Sequence, residues 1–267
     1  MGNRTTRPKN GPRFVAAYVT GASSGIGAEL VRRLVARGTR VVAVARRSER
    51  LAALAAALPG SVAIEVLDVA DTDAVRASVA AWDARFLAEH GVGLDLVVAN
   101  AGVGLGEHAR DVAFENLERS LQVNTLGAMA TLHAGLRCFL ERGASGTLCG
   151  VSSLAGTGGF PSSGSYAASK AALSTWLETL QADLAGSGVS VVDVRPGYVH
   201  TEMTADAGHA LPFAWPVERA VTRILAGLDR GTPRVVFPWQ LRLILGALER
   251  APRSVWRATM RVIARRS

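Results

Sequence analysis

Short apolar runs alternate along this chain with stretches whose apolar residues recur every three or four positions. Phe14–Thr20 is a continuous run; Leu30, Val31, Leu34 and Val35 then follow at helical spacing until Gly38. Val41–Ala45 is the next run, and Leu51, Leu54, Ala55 and Leu58 mark a second helix, stopped by Pro59-Gly60. Applied throughout, this reading predicts strands at 14–20, 41–45, 62–66, 94–99, 146–151, 189–195 and 234–237. Further helices are predicted at 72–89, 114–142, 164–185 and 217–230. Strands alternating with helices imply an α/β fold with a parallel sheet covered on both faces. Residues 202–215 keep neither period and carry Met203, Leu211, Phe213 and Trp215, the character of a lid or specificity loop.

The first strand runs straight into Gly21-Ala22-Ser23-Ser24-Gly25-Ile26-Gly27, and a helix opens there. Strand, glycine turn and helix N-terminus make a site for a dinucleotide pyrophosphate. Glycine lets the backbone approach closely, while the free N–H groups and the helix dipole attract the anion. The same residues fit GxSxG, the nucleophile turn of α/β-hydrolases, with Ser23 as nucleophile. That turn normally follows several strands, one of which builds an oxyanion loop. Here it follows the first strand, with no such sequence upstream.

An acidic residue at the end of the second strand would bind the ribose 2′-hydroxyl of NAD, whereas Arg suits the 2′-phosphate of NADP. Ala45 holds the acid's place and Arg46-Arg47 follow, which favours NADP. Arg47 is read as opening a solvated helix. Asp68, followed by Val69 beyond the third strand, is read equally as an acceptor for the adenine amino group or as an organiser of its own loop. Asn100-Ala101-Gly102 ends the fourth strand: the small residues leave room for a ribose, and Asn100 braces neighbouring strands.

Asn124 lies within an apolar helix, although its amide competes for backbone hydrogen bonds there, so a buried polar task is expected. The fifth strand delivers Ser152-Ser153 at its C-terminal end, the edge where open α/β sheets bind ligands. Tyr166 and Lys170, four apart, share a helix face. A phenol ionises near pH 10, and an ammonium beside it favours the phenolate. Of 30 basic residues, 28 are Arg, and the lysines are Lys9 and Lys170. A chain that otherwise writes its charge as Arg retains one interior, rotatable ammonium, which suggests a role a planar guanidinium does not fill.

The net charge of +8 belongs to the ends. Residues 1–13 carry +4 (Arg4, Arg7, Lys9 and Arg13), residues 241–267 carry +6, and the body between is close to −2. That distribution argues against a nucleic-acid partner. Cys138 and Cys149 lack metal-ligand spacing and are expected as buried, reduced thiols of a cytoplasmic protein. The five His residues form no zinc pattern, so no metal is expected. The first thirteen residues lack the apolar core of a signal peptide, and no run is long enough to span a bilayer. At the other end, Arg253, Arg257, Arg261 and Arg265 fall within an arc of about 120° at 100° per residue, with Trp256, Met260 and Ile263 opposite. Such a helix either lies on a membrane surface or packs on the substrate loop or another subunit.

Taken together, these motifs resemble the short-chain dehydrogenase/reductase family, over about residues 14–237. TGxxxGxG stands as Thr20 to Gly27, NAG as Asn100 to Gly102, and YxxxK as Tyr166 to Lys170. The family's catalytic Ser precedes its Tyr by thirteen residues, which selects Ser153. Asn124 matches the fourth catalytic member, and Pro196, Gly197, Val199 and Thr201 match the nicotinamide-side loop.

The resemblance implies a Rossmann-type doubly wound sheet of order 3-2-1-4-5-6-7 in an α/β/α sandwich. It implies coenzyme contacts at Gly21, Ser23, Ser24, Gly25, Ile26, Gly27, Arg46, Asp68, Val69, Asn100, Ala101 and Gly102, besides Tyr166, Lys170 and the nicotinamide-side loop. NADP-preferring members often carry a basic residue where this chain has Ser24, so the NADP(H) preference rests on Arg46 and NAD(H) stays open. The implied activity is hydride transfer between the nicotinamide and a carbonyl or secondary alcohol, by a homodimer or homotetramer; the apolar residues of the 202–215 loop point to a lipophilic small molecule. A coenzyme-binding sensor without turnover is the alternative. The expected layout is a basic tail (1–13), one catalytic domain (14–238) and a basic helical extension (239–267) with possible peripheral membrane contact.

Overall fold

The computed structural model describes residues 13–105, 107–205 and 211–265. Arg4, Arg7 and Lys9 of the basic N-terminal segment lie outside the described residues, as does the middle of the 202–215 loop. The element order is β1 (Ala16–Thr20), α1 (Gly25–Val35), β2 (Arg40–Ala45), α2 (Ser48–Ala56), β3 (Val62–Val66), α3 (Thr72–His90) and β4 (Leu96–Ala99). Then come α4 (Phe114–Leu121), a π-helical segment (Gln122–Gly127), α5 (Ala128–Glu141), β5 (Gly146–Val151), a 3-10 turn (Leu154–Thr157) and α6 (Gly164–Asp183). The remainder is β6 (Val189–Pro196), α7 (Glu202–Ala205), α8 (Val217–Arg230), β7 (Arg234–Phe237), α9 (Trp239–Arg250) and α10 (Arg253–Ala264).

All seven strands form one parallel sheet in the order β3-β2-β1-β4-β5-β6-β7, the order the resemblance implies. Strand alternation divides the core into two layers. Ala17, Val19, Val41 and Ala43 pack with Leu30, Leu34, Ile224 and Leu228 of α1 and α8. Ala16, Tyr18, Val42 and Val97 turn the other way, toward Val79, Leu132, Leu173 and Leu177 of α3, α5 and α6. Both faces are covered by helices, so the strands read as continuous apolar runs without alternation.

The chain leaves β1 on one side and returns to β4 on the other, so the strand order reverses between them. This switch point opens a crevice at the carboxyl edge of the sheet. Thr20, Ala99, Val151 and Pro196 end their strands at that edge, which brings the four sequence motifs into one place.

One expected element differs. The helix predicted over 114–142 is interrupted by a π turn at 122–127 that contains Asn124. An i→i+5 turn breaks the regular ladder and re-aims the side chains within it, a device found mostly at functional sites.

Candidate active site

The glycine turn is built by sterics. Gly21 and Gly25 have φ of +68° and +54°, in the left-handed region that favours glycine. A Cβ on Gly27 would lie 2.2 Å from the Gly21 carbonyl oxygen, so α1 can approach β1 only without a side chain there. Ser24, the N-cap of α1, makes no side-chain cap, and the first turn of the helix holds no acid. Its N–H groups and positive dipole end thus remain available to an anion. This cradle fits a dinucleotide pyrophosphate.

Asn100 closes the turn from β4. Its Nδ2 donates to the carbonyls of Thr20 (3.0 Å) and Gly21 (3.3 Å), while its own N–H and that of Ala101 donate to Thr20 Oγ1 (3.0 and 3.1 Å). Asn100 therefore braces the two strands, as expected.

Beyond β5, Ser152 and Ser153 separate. Ser152 is fully buried and donates to Asp193 Oδ1, whose other oxygen accepts from Arg195 Nε. Ser153 caps the 3-10 turn, accepting from the Ala155 N–H at 3.1 Å, and its hydroxyl donates to the Pro196 carbonyl at 3.4 Å. Ser153, not Ser152, is the serine whose hydroxyl acts on the Tyr166 phenol, holding its pKa down against burial.

Lys170 is buried in α6 and its Nζ donates to the Val151 carbonyl at 2.8 Å, 5.8 Å from the Tyr166 ring centroid. Burial lowers the ammonium to about 8, with Asp193 acting in the opposite direction. Burial also raises the Tyr166 phenol; the bond to Ser153 opposes that rise and Tyr198 adds to it. The expectation that Lys170 depresses the Tyr166 pKa is thus not met in this geometry. Desolvation dominates both groups, and the ammonium is committed to a strand-end carbonyl.

Asn124 has the buried polar task expected of it. Its Oδ1 accepts from the Val103 N–H at 2.8 Å, and its Nδ2 donates to the Val103 carbonyl and Ser169 Oγ, both at 3.0 Å. A Cβ on Gly102 would sit 3.1 Å from that Oδ1 and 3.5 Å from Lys170 Nζ. Gly102, Asn124 and Lys170 therefore share one corner, and the missing Cβ keeps it open.

Asp68 organises its loop, accepting from the Ala70 N–H at 3.0 Å and from Arg119 Nη2 at 2.7 Å; Val69 beside it is buried. Partial burial pushes this carboxyl up, but the bonds from Arg119 and Ala70 outweigh it and the net shift is downward. Arg46 is exposed and sits 3.7 Å from Asp68. Arg47 departs from its reading as a solvated helix start. Its guanidinium donates to Ser23 Oγ (2.9 Å), Ser24 Oγ (2.7 Å) and Glu202 Oε2 (2.8 Å), and Arg50 pairs with the same Glu202. A signal was present in the sequence: Arg is a poor N-cap, and Arg47 and Arg50 lie three apart on one helix face. Glu202, Arg119 and Tyr198 had no such local mark.

The nicotinamide-side loop reaches the crevice from β6. Gly197 donates its N–H to the Phe237 carbonyl at 2.7 Å, and Val199 is buried. A Cβ on Gly25 would lie 3.0 Å from Thr201 Cγ2, which places Thr201 against the glycine turn. Among the described residues no group of His, Cys, Asp or Glu is arranged to hold a metal, and both cysteines are free and buried.

Comparison with known proteins agrees with this geometry. The family described as short chain dehydrogenase matches residues 15–211. A Myxococcus xanthus protein named "Uncharacterized oxidoreductase" is 45% identical over 231 residues, spanning 85% of this chain and 89% of its own. A sulfoacetaldehyde reductase of Chromohalobacter salexigens is 36% identical, covering 70% of this chain and 73% of its own. Among solved structures, a short chain dehydrogenase from Burkholderia cenocepacia in complex with NADP superposes with a TM-score of 0.78 at 26% identity, over 92% of this chain and 97% of that one.

The depressed Lys170 pKa has a measurable consequence. Between pH 8 and 10.5 the unfolded chain holds a proton on this lysine that the folded chain has lost. Folded stability therefore rises with pH across that window and is lost as pH falls through 8. Relative to Lys170→Met, wild type is expected to gain on the order of 3 kcal/mol across it, measured by urea unfolding at each pH. A constant difference would show that the lysine keeps its ordinary pKa.

Proposed function

The chain belongs to the short-chain dehydrogenase family, and from that premise we propose an NADP(H)-dependent oxidoreductase acting on a carbonyl or secondary alcohol. The observation that carries the reading is the corner made by Ser153, Tyr166, Lys170 and Asn124, set at the strand ends beside the glycine turn. Residues 14–238 form the catalytic unit in this reading, and 239–267 an extension.

In the proposed mechanism the coenzyme, when bound, supplies or accepts the hydride at the nicotinamide. The protein supplies placement and electrostatics. Ser153 and Tyr166 hydrogen-bond the substrate oxygen; Tyr166 gives it a proton in reduction and takes one in oxidation. A phenol held up by burial suits the donor's role, because it stays protonated until the oxygen becomes basic. Lys170 holds the nicotinamide ribose. Asn124, fixed by its bonds to the Val103 backbone and Ser169, orders a water leading from Lys170 Nζ to solvent.

For the coenzyme, Arg47 supports NADP better than Arg46 does. It already donates to both serines of the glycine turn, where a 2′-phosphate would meet a planar donor fork. Arg46 is turned toward Asp68. The Burkholderia cenocepacia structure holds NADP, which supports the same choice. The sulfoacetaldehyde reductase acts, by its name, on a small sulfonate-bearing aldehyde, whereas the region beyond Tyr166 here carries Leu105, Phe160 and Met203, which supports a more lipophilic compound. A homodimer or homotetramer is the assembly in this reading, and a sensor without turnover is the second reading, which absence of turnover in the assay below would favour.

The tail supports two readings. Trp256 and Met260 turn inward and Trp256 packs edge-on against Phe160 at 5.6 Å, so α10 docks on this chain's own loop. Trp239, Leu243, Ile244, Val255, Val262 and Ile263 remain exposed, which supports peripheral membrane contact. Among the described residues no helix is long and apolar enough to cross a membrane.

Three outcomes are expected. Tyr166→Phe should lower turnover of a carbonyl panel at least about a hundredfold while NADPH still binds; wild-type rates would refute the role. Arg47→Ala should weaken NADPH roughly 10- to 100-fold and NADH little, more than Arg46→Ala does; equal losses for both coenzymes would remove the phosphate contact. Full-length protein should pellet with anionic liposomes more than residues 1–238 do, and equal pelleting would dismiss the membrane reading.

A further inference from the structure

A groove of about 640 Å³ lies outside the catalytic corner but is made by the same two segments. One wall is Gly159–Ser165, the end of the link from Ser153 to Tyr166. The other is 107–117, which continues the chain from Gly102 and Val103. Ser165 Oγ donates to the Leu105 carbonyl at 3.1 Å and ties the walls together. The outer side is α10, whose Trp256, Met260 and Ala264 form one stripe and Arg257 and Arg261 the next. A Cβ on Gly158 would lie 2.2 Å from the Trp256 ring, so the loop is shaped to receive this helix.

The groove is apolar in its body and positive at its rim. Phe160, Val112, Leu117, Trp256 and Met260 line it. Among the described residues neither Arg257 nor Arg261 has an acidic partner, although ion pairs are common elsewhere on this surface. The N-terminus of α6 adds to the positive side: Gly164 and Ser165 line the groove, Ser163 provides no side-chain cap, and the first turn of this 20-residue helix carries no acid. Glu107 also lines the groove, but its carboxylate is engaged by the Ala113 N–H and Asn116 Nδ2. Two unpaired guanidiniums beside a helix N-terminus and an apolar trough match a molecule that is apolar along its length and anionic at one end.

We propose that this groove holds the distal, anionic end of the substrate, so that the enzyme acts on lipophilic carbonyl compounds ending in a carboxylate or an equivalent anion. The proposal rests on the oxidoreductase reading above for the carbonyl and on the groove alone for the anion. The C-terminal extension is, on this view, part of the substrate site.

The test uses the full chain and separates those two supports. Dodecanoate, which has no reducible carbonyl, should bind wild type about tenfold or more tightly than dodecanol by isothermal titration, and Arg257→Gln/Arg261→Gln should erase that preference. Both positions are exposed, and NADPH titration of the double variant confirms its fold. In the second arm, ω-oxododecanoate should be reduced with a kcat/KM about tenfold or more above that of its methyl ester, an advantage lost in the double variant. Equal dodecanoate binding by wild type and variant would overturn the groove assignment. So would capture by anionic vesicles without binding of monomeric dodecanoate. Equal turnover of acid and ester would overturn the substrate class. Arginine-dependent dodecanoate binding with no turnover of either carbonyl would uphold the anion site and instead refute the oxidoreductase reading.

Discussion

An ammonium held out of water at the end of β5 is the constraint around which this site is arranged. Lys170 is desolvated by α6 and the strand ends, and its compensation is one strand-end carbonyl plus the field of buried Asp193. Removing such a group from water is costly unless it is hydrogen-bonded. Asp193 is tied to Ser152 and Arg195, and Arg195 in turn to Glu178. Ser152 follows β5, Asp193 and Arg195 lie in β6 and Glu178 in α6, so the polar network joins adjacent elements of the sheet and its covering helix. A partly discharged amine near neutral pH can exchange a proton, which an always-charged guanidinium cannot do. That difference accounts for a lysine in a chain otherwise written with arginine.

Around this corner, backbone groups and short side chains are used where close approach matters. Gly21, Gly27 and Gly102 remove Cβ atoms from positions facing Ala101, the Gly21 carbonyl and Asn124 respectively. Longer groups stand further out. Arg47 reaches back to Ser23 and Ser24, and Glu202 joins it and Arg50 from the far side of the crevice. Those contacts connect the helix after β2 with the segment after β6, so the two sides of the crevice are linked through surface ion pairs. Each exposed pair contributes little to stability, and their importance is positional.

The C-terminal helices extend the same logic. α10 is amphipathic, yet its apolar stripe is divided: Trp256 and Met260 cover the loop leading to Tyr166, while Val255, Val262 and Ile263 stay outside. Packing on the loop places Arg257 and Arg261 of the tail at the rim of a groove. A segment outside the matched family region thereby adjoins the loop that leads to Tyr166.

The sequence by itself determined the alternation of strands and helices, the glycine turn, the Tyr166–Lys170 pair and the buried task of Asn124. Each of these is written in local spacing or in a residue type that its surroundings disfavour. The tertiary structure decided that Arg47 reaches Ser23, Ser24 and Glu202, that Asp68 pairs with Arg119, and that the 114–142 helix carries a π turn. It also decided where α10 lands and that burial raises the phenol of Tyr166. Those outcomes depend on partners remote along the chain, such as Glu202, 155 residues from Arg47, and on the solvent that packing removes. Periodicity reports which face of an element is apolar, but only the assembled sheet and helices determine what that face meets.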